Sequence, residues 1–277
     1  MSPQGPDPVQ IRDAWNAIAD GFDRHTTPQT IAFGEQVLSR LALGPGVRVL
    51  DVAAGSGGLS IPAARTGADV VAVDIAPEMI ERLTARARGE GLVTLETRVG
   101  DGAALDLDDD TFDVTMSLNG VSLFPHLDVG VRECVRVTRP GGSLMIVTFG
   151  PLPQVEFIAF FIGALRAIVP EVIPPPTEPL PPFRLADPAT FRRTLEGAGL
   201  DRVSIDSMPW AMRFDSVDDL LDVVLNSNPI AVQLTAGLSD EQRAQVRHVL
   251  DGMLRERSGG QAGAVLNAEM RIGLGTV

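Results

Sequence analysis

Carboxylates stand at the ends of three successive apolar runs. Asp51 closes the first run, Asp74 ends the run at 69–74, and Asp101 follows a third run at 93–99. A carboxylate accepts charge-assisted hydrogen bonds and favours nearby positive charge, whereas it repels a phosphate. The three side chains therefore indicate a ligand rich in hydroxyl and amino groups, and not a polyphosphate.

A glycine-rich segment follows the first of these acids, Ala53-Ala-Gly-Ser-Gly-Gly58. Glycine tolerates positive φ and lets a ligand approach the backbone, while the start of a following helix offers unpaired N–H groups. The same pattern suits a phosphate cradle, a dinucleotide site or a plain tight turn. The loop alone leaves the ligand open, and its acidic neighbours narrow the choice.

The chain offers few groups for acid–base chemistry. It has no lysine and no tyrosine, one cysteine and three histidines. A base must therefore be His25, His126, His248 or a carboxylate. We take His126, close to the expected mouth of the site, and His25, in the N-terminal segment, as catalytic candidates, although a structural role for His126 fits equally well. His248 lies in a polar, arginine-containing helix and is expected to be exposed.

Strands and helices alternate from Val47 onward and must bring the acids together. The pattern predicts strands at 47–52, 69–73, 93–99, 112–118 and 143–149, with helices near 58–66, 77–88 and 127–138. Apolar strands that alternate with helices indicate a parallel sheet covered on both faces.

Cys134 falls at helical spacing with apolar neighbours and is expected in the core. No metal site is expected.

The pattern changes on either side of this alternating region. We expect an N-terminal helical cap at 1–34 with helices at 11–24 and 28–43, a ligand-binding core at 35–150 and an insertion at 151–187. The remainder, 188–277, contains a helix at 188–198, a strand at 201–214, a helical insertion at 216–257 and a last strand at 264–275. The first ten residues read as a tail and Pro174–Pro176 as part of a linker. Pro209 indicates a bulge or an edge position in its strand.

Residues 154–169 are apolar almost all round. They are expected to form a lid over a hydrophobic substrate or a subunit contact, which would make the chain a homodimer, and the sequence leaves both open. A membrane anchor is disfavoured because the segment has no basic polar face. Met208, Trp210 and Met212 alternate along a strand and would line the same pocket or pack in the core.

Composition excludes several classes of protein. The chain has 277 residues, 44% of them hydrophobic, and a formal net charge of −13. Such a charge argues against a nucleic-acid partner, because affinity for phosphate backbones rests on clustered cations. No apolar run reaches the roughly 20 residues of a membrane span. The absence of a signal-peptide pattern and the single cysteine predict a cytoplasmic location.

The ordered motifs resemble those of the class I S-adenosylmethionine-dependent methyltransferases, in the branch that includes ubiquinone and menaquinone biosynthesis methyltransferases. The resemblance covers about residues 35–150 and, more loosely, 188–214 and the final strand. It rests on Val49-Leu-Asp-Val-Ala-Ala-Gly-Ser-Gly57, Val71-Ala-Val-Asp-Ile-Ala-Pro-Glu-Met79, Gly100-Asp-Gly-Ala-Ala-Leu105, Phe112-Asp-Val114 and Arg136-Val-Thr-Arg-Pro-Gly-Gly-Ser143. It implies a Rossmann-like α/β fold with a seven-stranded sheet, helices on both faces and helical cap insertions.

The resemblance also implies roles for individual residues toward S-adenosylmethionine. Gly55, Ser56 and Gly57 would lie beneath the methionine and ribose, and Asp51 near the amino group. Asp74 would accept from both ribose hydroxyls. The remaining positions are Ile75 and Met79 against the adenine, Asp101 and Gly102 at the adenine amino group, and Asn119 near the methionine. Position 53, often glycine in the family, is Ala53 in this chain.

The sequence leaves two alternatives open for the acidic site. A nicotinamide dinucleotide would also suit an acid about 20 residues after the glycines, but its fingerprint needs a third glycine where this chain has Ser60. Asp74 could instead cap the helix that opens at Pro77. The expected activity is methyl transfer to a small, largely apolar molecule, with an oxygen or nitrogen acceptor favoured. The alternative is a protein that binds S-adenosylmethionine but catalyses another reaction.

Overall fold

One seven-stranded sheet organises the chain, as the sequence predicts. The computed structural model describes residues 6–172 and 179–277, and its strands lie in the order β3-β2-β1-β4-β5-β7-β6. Their bounds are β1 Arg48–Val52, β2 Asp69–Asp74, β3 Leu95–Val99, β4 Phe112–Leu118, β5 Thr138–Phe149, β6 Asp201–Phe214 and β7 Ala264–Thr276. β1 to β5 pair in parallel, and β7 runs antiparallel to both β5 and β6.

Helices cover both faces of this sheet. They are α1 Pro8–Gly21, α2 Thr27–Val37, α3 Ser60–Arg65, α4 Pro77–Gly89, α5 Leu127–Val137, α6 Glu156–Ile168, α7 Pro188–Gly197, α8 Val217–Ser227, α9 Pro229–Thr235 and α10 Asp240–Arg257. Successive side chains of a strand point to opposite faces of the sheet and so pack in different hydrophobic clusters. Val49 packs in the cluster that contains α6 and α8, whereas Leu50 packs in the cluster that contains α5 and α7. Cys134 lies fully buried in the second cluster, which confirms its core position, and this burial raises the pKa of its thiol to about 12.

The N-terminal helices form one continuous helical segment over the edge of the sheet. A five-residue π turn, Phe22–Thr26, joins α1 to α2. The side chain of Asn16 accepts a hydrogen bond from the backbone N–H of Glu78 over 3.1 Å, which ties α1 to the start of α4. Because α2 runs from Thr27 to Val37, it crosses the expected boundary between residues 34 and 35.

Several predicted bounds differ from the observed ones. The helix predicted at 28–43 ends in a 3-10 turn at Arg40, and the hydroxyl of Ser39 donates to the Gln36 carbonyl that a further helical turn would use. β5 starts at Thr138 and not at residue 143, with an irregular register opposite β4. There, Gly141 takes a φ of +77° that favours glycine.

The helical stretch predicted at 216–257 is three helices. Pro229 lacks an N–H and forces the preceding Asn228 into an extended conformation, so α8 ends there. Ser239 then starts α10 with a capping box. Pro209 lies in β6, which is an edge strand of the sheet, and the register shift of β6 falls at 201–204 instead. The edge position therefore accommodates the proline.

Two predictions fall wholly or partly outside the described residues, namely the linker at Pro174–Pro176 and the start of the N-terminal tail. Within 6–172 and 179–277, no helix is both long enough and apolar enough to cross a bilayer. The same residues contain no cluster of three or more metal-ligating side chains.

Candidate functional site

A cavity of about 220 Å³ opens at the carboxyl edge of the parallel strands. A cavity that holds one water molecule needs only roughly 10–15 Å³, so this cavity has room for a ligand. Its acidic end contains Asp51, Ala53, Ala54, Gly55, Asp74, Ile75 and Met79. The other end, which we call the apolar chamber, is formed by Phe149, Phe157, Ile158, Phe161, Ile162, Leu180, Pro182, Phe183, Trp210, Met212, Val223, Val224, Ile230, Ala231 and Leu234.

Asp51 is a buried carboxylate at the acidic end, 1% exposed. Its Oδ2 accepts a hydrogen bond from the Ser60 hydroxyl over 2.5 Å. Burial raises the pKa of Asp51 to about 7, the Ser60 hydrogen bond lowers it, and the nearby charge of Asp74 raises it further. Desolvation penalises the charged form of an acid, and a bound cation would reverse that effect. Asp51 is therefore suited to a positively charged group.

Asp74 joins the end of β2 to the glycine-rich loop. Its Oδ2 accepts from the backbone N–H of Gly55 over 2.8 Å, and its Oδ1 accepts from that of Ala76 over 2.9 Å. Burial raises the pKa of Asp74, and these backbone donors oppose that rise. Asp74 is not the N-cap residue of α4, which is Ala76, but its carboxylate holds the backbone N–H of Ala76 at the start of that helix. Its two oxygens retain free lone pairs toward the cavity that Asp74 lines.

The glycine-rich loop divides into residues that line the cavity and residues that support the loop. Ala53 and Gly55 line it, and both have positive φ, 57° and 54°. Ser56 is buried and its hydroxyl pairs with that of Thr27. At Gly57, with φ +110°, a Cβ would lie 2.6 Å from Leu83 Cδ1. Ser56 and Gly57 are therefore placed in the packing beneath the loop and do not line the cavity.

The third predicted acid lies beyond the cavity lining. Asp101 is half-buried, and its Oδ1 accepts from the backbone N–H of Ala103 over 2.9 Å. The adjacent Gly102 is buried, and a Cβ there would meet Phe124 at 2.6 Å. Phe124 itself lines the cavity. Asp101 and Gly102 therefore do not line the cavity, although Gly102 packs against the lining residue Phe124.

Two buried polar atoms in the cavity lining have no hydrogen-bond partner among the described residues. They are Oδ1 of Asn119, just past β4, and Oγ1 of Thr26, at the end of the π turn. Asn119 also has a positive φ of 50°, which is uncommon outside glycine. Buried polar atoms are normally paired, so both oxygens have unused hydrogen-bonding capacity beside the cavity.

Neither candidate histidine lines the cavity. His126 is exposed and occupies the N-cap position of α5, one residue after the lining residue Pro125. His25 lies within the π turn and is half-buried, next to Thr26. His248 is exposed on α10, as predicted. Asp51 and Asp74 are the only ionisable side chains in the lining among the described residues.

The apolar segment predicted at 154–169 is α6, and one side of it covers the chamber. Phe157, Ile158, Phe161 and Ile162 all contribute to the wall. Trp210 and Met212 of β6 line the chamber as well, whereas Met208 is half-buried outside it. This placement accounts for the apolar character of the side of α6 that faces the chamber.

The sequence predicts an N-terminal helical cap but not which of its residues reach the cavity, and it does not single out the residues of the chamber's far wall. Trp15 and Phe22 line the acidic end, and Phe22 lies 3.5 Å from the position of a Cβ on Gly55. Ser227 and Asn228 close the far side at the junction of α8 and α9. The helix predicted at 11–24 includes Trp15 and Phe22. Their contact with the glycine-rich loop depends on tertiary packing.

These residues fit S-adenosylmethionine. A desolvated carboxylate at Asp51 suits the cationic end of the cofactor, and Asp74 has free acceptor capacity for vicinal hydroxyls. The unpaired Asn119 oxygen needs a donor, and the small residues at 53–55 leave room beside the backbone. The pyrophosphate of a nicotinamide dinucleotide would face the buried carboxylate of Asp51, so the residues present do not fit that cofactor.

Comparisons with known proteins agree with this fit. A family model described as a methyltransferase domain matches residues 49–142. An uncharacterized protein of Mycobacterium tuberculosis is 34% identical over 208 residues, 75% of this chain and 73% of the relative. A demethylmenaquinone methyltransferase of Corynebacterium efficiens is 30% identical over 172 residues, 60% of this chain and 71% of the relative.

Solved structures share the fold. Phosphoethanolamine N-methyltransferase 2 of Haemonchus contortus, in complex with S-adenosyl-L-methionine, matches 98% of this chain and 57% of its own, with a TM-score of 0.54 and 17% identity. The sequence relatives and the family model support the assignment to a family more strongly than the shared fold does. The chain belongs to the class I S-adenosylmethionine-dependent methyltransferases, and its cofactor is S-adenosylmethionine.

Proposed function

We propose that the protein transfers a methyl group from S-adenosylmethionine to a small, uncharged and largely apolar molecule, with oxygen favoured over nitrogen as the acceptor atom. The observation that carries this proposal is the continuity of the cavity. One space runs from Asp51 and Asp74 to the apolar chamber between α6, β6 and α8. A donor at the acidic end and an acceptor in the chamber would face each other across Thr26 and Asn119.

The walls of the chamber argue for a neutral acceptor. Its described lining has aromatic and aliphatic side chains together with the uncharged Ser227 and Asn228. A carboxylate, phosphate or ammonium group would lose its hydration there without a charged partner, which is costly. Aliphatic amines are protonated near neutral pH, so a hydroxyl acceptor suits the chamber better. This argument is the basis for preferring O-methylation.

The acidic end of the cavity supports a set of proposed cofactor contacts. We propose that Asp74 binds the ribose hydroxyls, that Asp51 balances the amino group and that Asn119 contacts the methionine part. Ile75 and Met79 would hold the adenine, with Asp101 and Gly102 at its amino group. Ala53 and the loop Gly55-Ser56-Gly57 would support the ligand from below.

Catalysis then rests on orientation and on the exclusion of water. The cofactor supplies an electrophilic methyl group with a neutral thioether as its leaving group. The chamber walls, α6 and the N-terminal segment hold the acceptor and keep water out. Fixing reactants in this way lowers a barrier by roughly 7–11 kcal/mol. The proton of the acceptor hydroxyl is released to solvent as its oxygen takes the methyl group. A histidine base at His126 or His25 is therefore not required, and neither lines the cavity.

Two further proposals concern partners. The charge of −13 supports a protein that acts on small molecules and not on nucleic acid. The side of α6 that lines the chamber supports a lid, and a homodimer contact through α6 is the competing proposal.

A labelled methyl group tests the proposed activity. The protein is incubated with S-adenosylmethionine that carries a deuterated methyl group and with a mixture of neutral phenols, catechols and quinols. Mass spectrometry should detect a product with one labelled methyl group, together with S-adenosylhomocysteine. Asp74→Ala should abolish both signals. A compound that changes without gaining label, while the cofactor stays intact, would favour the non-methylating alternative.

A further inference from the structure

The π turn at Phe22–Thr26 carries three threonine hydroxyls on or just after it, and they differ in their hydrogen bonds. The Thr27 hydroxyl donates to the Phe22 carbonyl over 3.2 Å and also pairs with Ser56. The Thr30 hydroxyl donates to the Thr27 carbonyl over 3.0 Å. Both therefore serve the local structure. The Thr26 hydroxyl has no partner among the described residues, although Thr26 is only 5% exposed and lines the cavity.

The unpaired hydroxyl of Thr26 is suited to form a hydrogen bond with a polar atom of a ligand. Threonine is branched and could be replaced by valine without loss of volume, so packing alone does not require an oxygen here. π turns insert one residue into a helix and are frequently found at functional sites. This turn is held on the glycine-rich loop by the Thr27–Ser56 pair. The Thr26 hydroxyl is consequently fixed relative to the acidic end of the cavity.

The apolar chamber, which belongs to the same cavity as Thr26, indicates what kind of ligand carries that atom. The chamber contains an aromatic group in which the Phe149 ring lies 5.9 Å from that of Phe157 and 6.1 Å from that of Phe183. Aromatic side chains in a cavity wall favour contact with flat, apolar ring systems. No charged side chain lies in the described chamber lining, so the ligand's polar atom must be neutral. A single hydroxyl on an aromatic or polycyclic body meets both conditions.

We propose that the Thr26 hydroxyl binds the hydroxyl group of a neutral aromatic or polycyclic acceptor and thereby determines both the orientation and the specificity of methyl transfer. This inference rests on the proposed function and deepens it. Thr26 acts as a hydrogen-bond partner and not as a base. A site built to bind a hydroxyl discriminates against an analogue that lacks it, because its own polar group is then left unpaired.

The test compares 4-propylphenol with propylbenzene, which differ only in the hydroxyl group. Binding of each to the protein saturated with S-adenosylhomocysteine is measured by isothermal titration calorimetry for the wild type, Thr26→Val and Thr26→Ser. The wild type and Thr26→Ser should bind the phenol about tenfold more tightly than the hydrocarbon, in line with one hydrogen bond in a buried site. Thr26→Val should bind the two compounds about equally.

The outcomes separate this inference from the function on which it rests. An unchanged preference for the phenol in Thr26→Val, with normal binding of S-adenosylhomocysteine, overturns the role of Thr26 and leaves the proposed function intact. If neither compound binds to the wild-type complex, the apolar acceptor and the role of Thr26 are both wrong. Thr26→Val should also melt at or above the wild-type temperature, since the hydroxyl it removes is unpaired. A lower melting temperature would mean that Thr26 has a structural role.

Discussion

The backbone N–H of Gly55 donates to Oδ2 of Asp74 over 2.8 Å, so the carboxylate that ends β2 also fixes the glycine-rich loop that follows β1. The same side chain accepts from Ala76 through its other oxygen. One residue thus shapes the loop and faces the cavity.

Asp74→Asn removes the charge of the carboxylate while it keeps the shape of the side chain, so it tests what the charge contributes to ligand binding. The amide places an NH₂ group against either the Gly55 or the Ala76 N–H and removes the charge. Affinity for S-adenosylhomocysteine, measured by calorimetry, should fall at least tenfold, because hydrogen bonds to charged groups contribute about 1.5–3 kcal/mol. Asp108→Asn, in the exposed turn at 108–110, is the matched control and should bind normally. Equal affinities in the two variants would remove Asp74 from the site.

Cofactor affinity should depend on pH through Asp51. Its raised pKa of about 7 means that the side chain is mostly protonated at pH 6 and mostly ionised at pH 8. A ligand ammonium group prefers the ionised form, so the affinity for S-adenosylhomocysteine should rise by up to about tenfold over this interval. Calorimetry at pH 6, 7 and 8 measures the rise.

A truncated ligand and a variant make this pH test specific. Methylthioadenosine lacks the amino-acid portion, so its affinity should change little between pH 6 and pH 8. Asp51→Asn should flatten the profile of S-adenosylhomocysteine. The same raised pKa predicts that Asp51 lowers stability as pH rises from about 4 to 7, since the folded state then holds a proton that the unfolded state has lost. A profile for Asp51→Asn as steep as that of the wild type would exclude Asp51.

Ion pairs between α4 and the N-terminal segment should control how fast the cofactor leaves. Arg86 Nη2 lies 2.6 Å from Asp23 Oδ1, with both side chains about three-quarters buried, and Arg82 lies 3.3 Å from Asp20. A pair of this kind contributes roughly 1 kcal/mol. Arg86→Met should therefore speed the dissociation of S-adenosylhomocysteine about fivefold in stopped-flow measurements.

Charge exchange provides the control for this ion pair. Arg86→Asp combined with Asp23→Arg should recover part of the slow dissociation. Arg132→Met removes an exposed pair with Asp128 on α5 and should leave the rate unchanged. If Arg86→Met dissociates at the wild-type rate, the N-terminal segment does not retain the cofactor.

Gly57→Ala should destabilise the fold without a direct loss of ligand contacts. A Cβ at position 57 would lie 2.6 Å from Leu83 Cδ1 and 2.8 Å from Ile61 Cγ1, and the φ of +110° disfavours any side chain. Backbone strain and overpacking together cost roughly 2–4 kcal/mol. Chemical denaturation measures this loss. Gly89→Ala, at the end of α4 with nothing near its Cβ, should be neutral or slightly stabilising. Equal stabilities of the two variants would contradict the packing beneath the loop.

The sheet and the acidic end could be predicted because their signals are local. Strand ends are marked by apolar runs, and parallel strands place their carboxyl ends at one edge, so Asp51 and Asp74 were expected to meet. The identity of the ligand as S-adenosylmethionine came from the resemblance to the methyltransferase family. Asp101 was harder to place, because its carboxylate makes a local hydrogen bond with Ala103 that no strand pattern reveals.

The acceptor side could not be predicted in the same way. Its walls come from α6, β6, α8 and the π turn, which are far apart in the chain, and their meeting depends on tertiary packing. The free hydroxyl of Thr26 is visible only once the partners of Thr27 and Thr30 are known. His126 shows the converse, since its position next to Pro125 suggested a place in the site and the structure leaves it exposed.

A crystal structure of the complex with S-adenosylhomocysteine tests the account most directly, through the distances from the Asp74 carboxylate to the ribose hydroxyls. The account predicts that both hydroxyls lie within hydrogen-bond distance of Asp74, that the amino group lies on the Asp51 side and that the apolar chamber stays free for the acceptor. A nucleoside bound in the chamber against Phe157 and Trp210, with Asp74 out of reach, would contradict it.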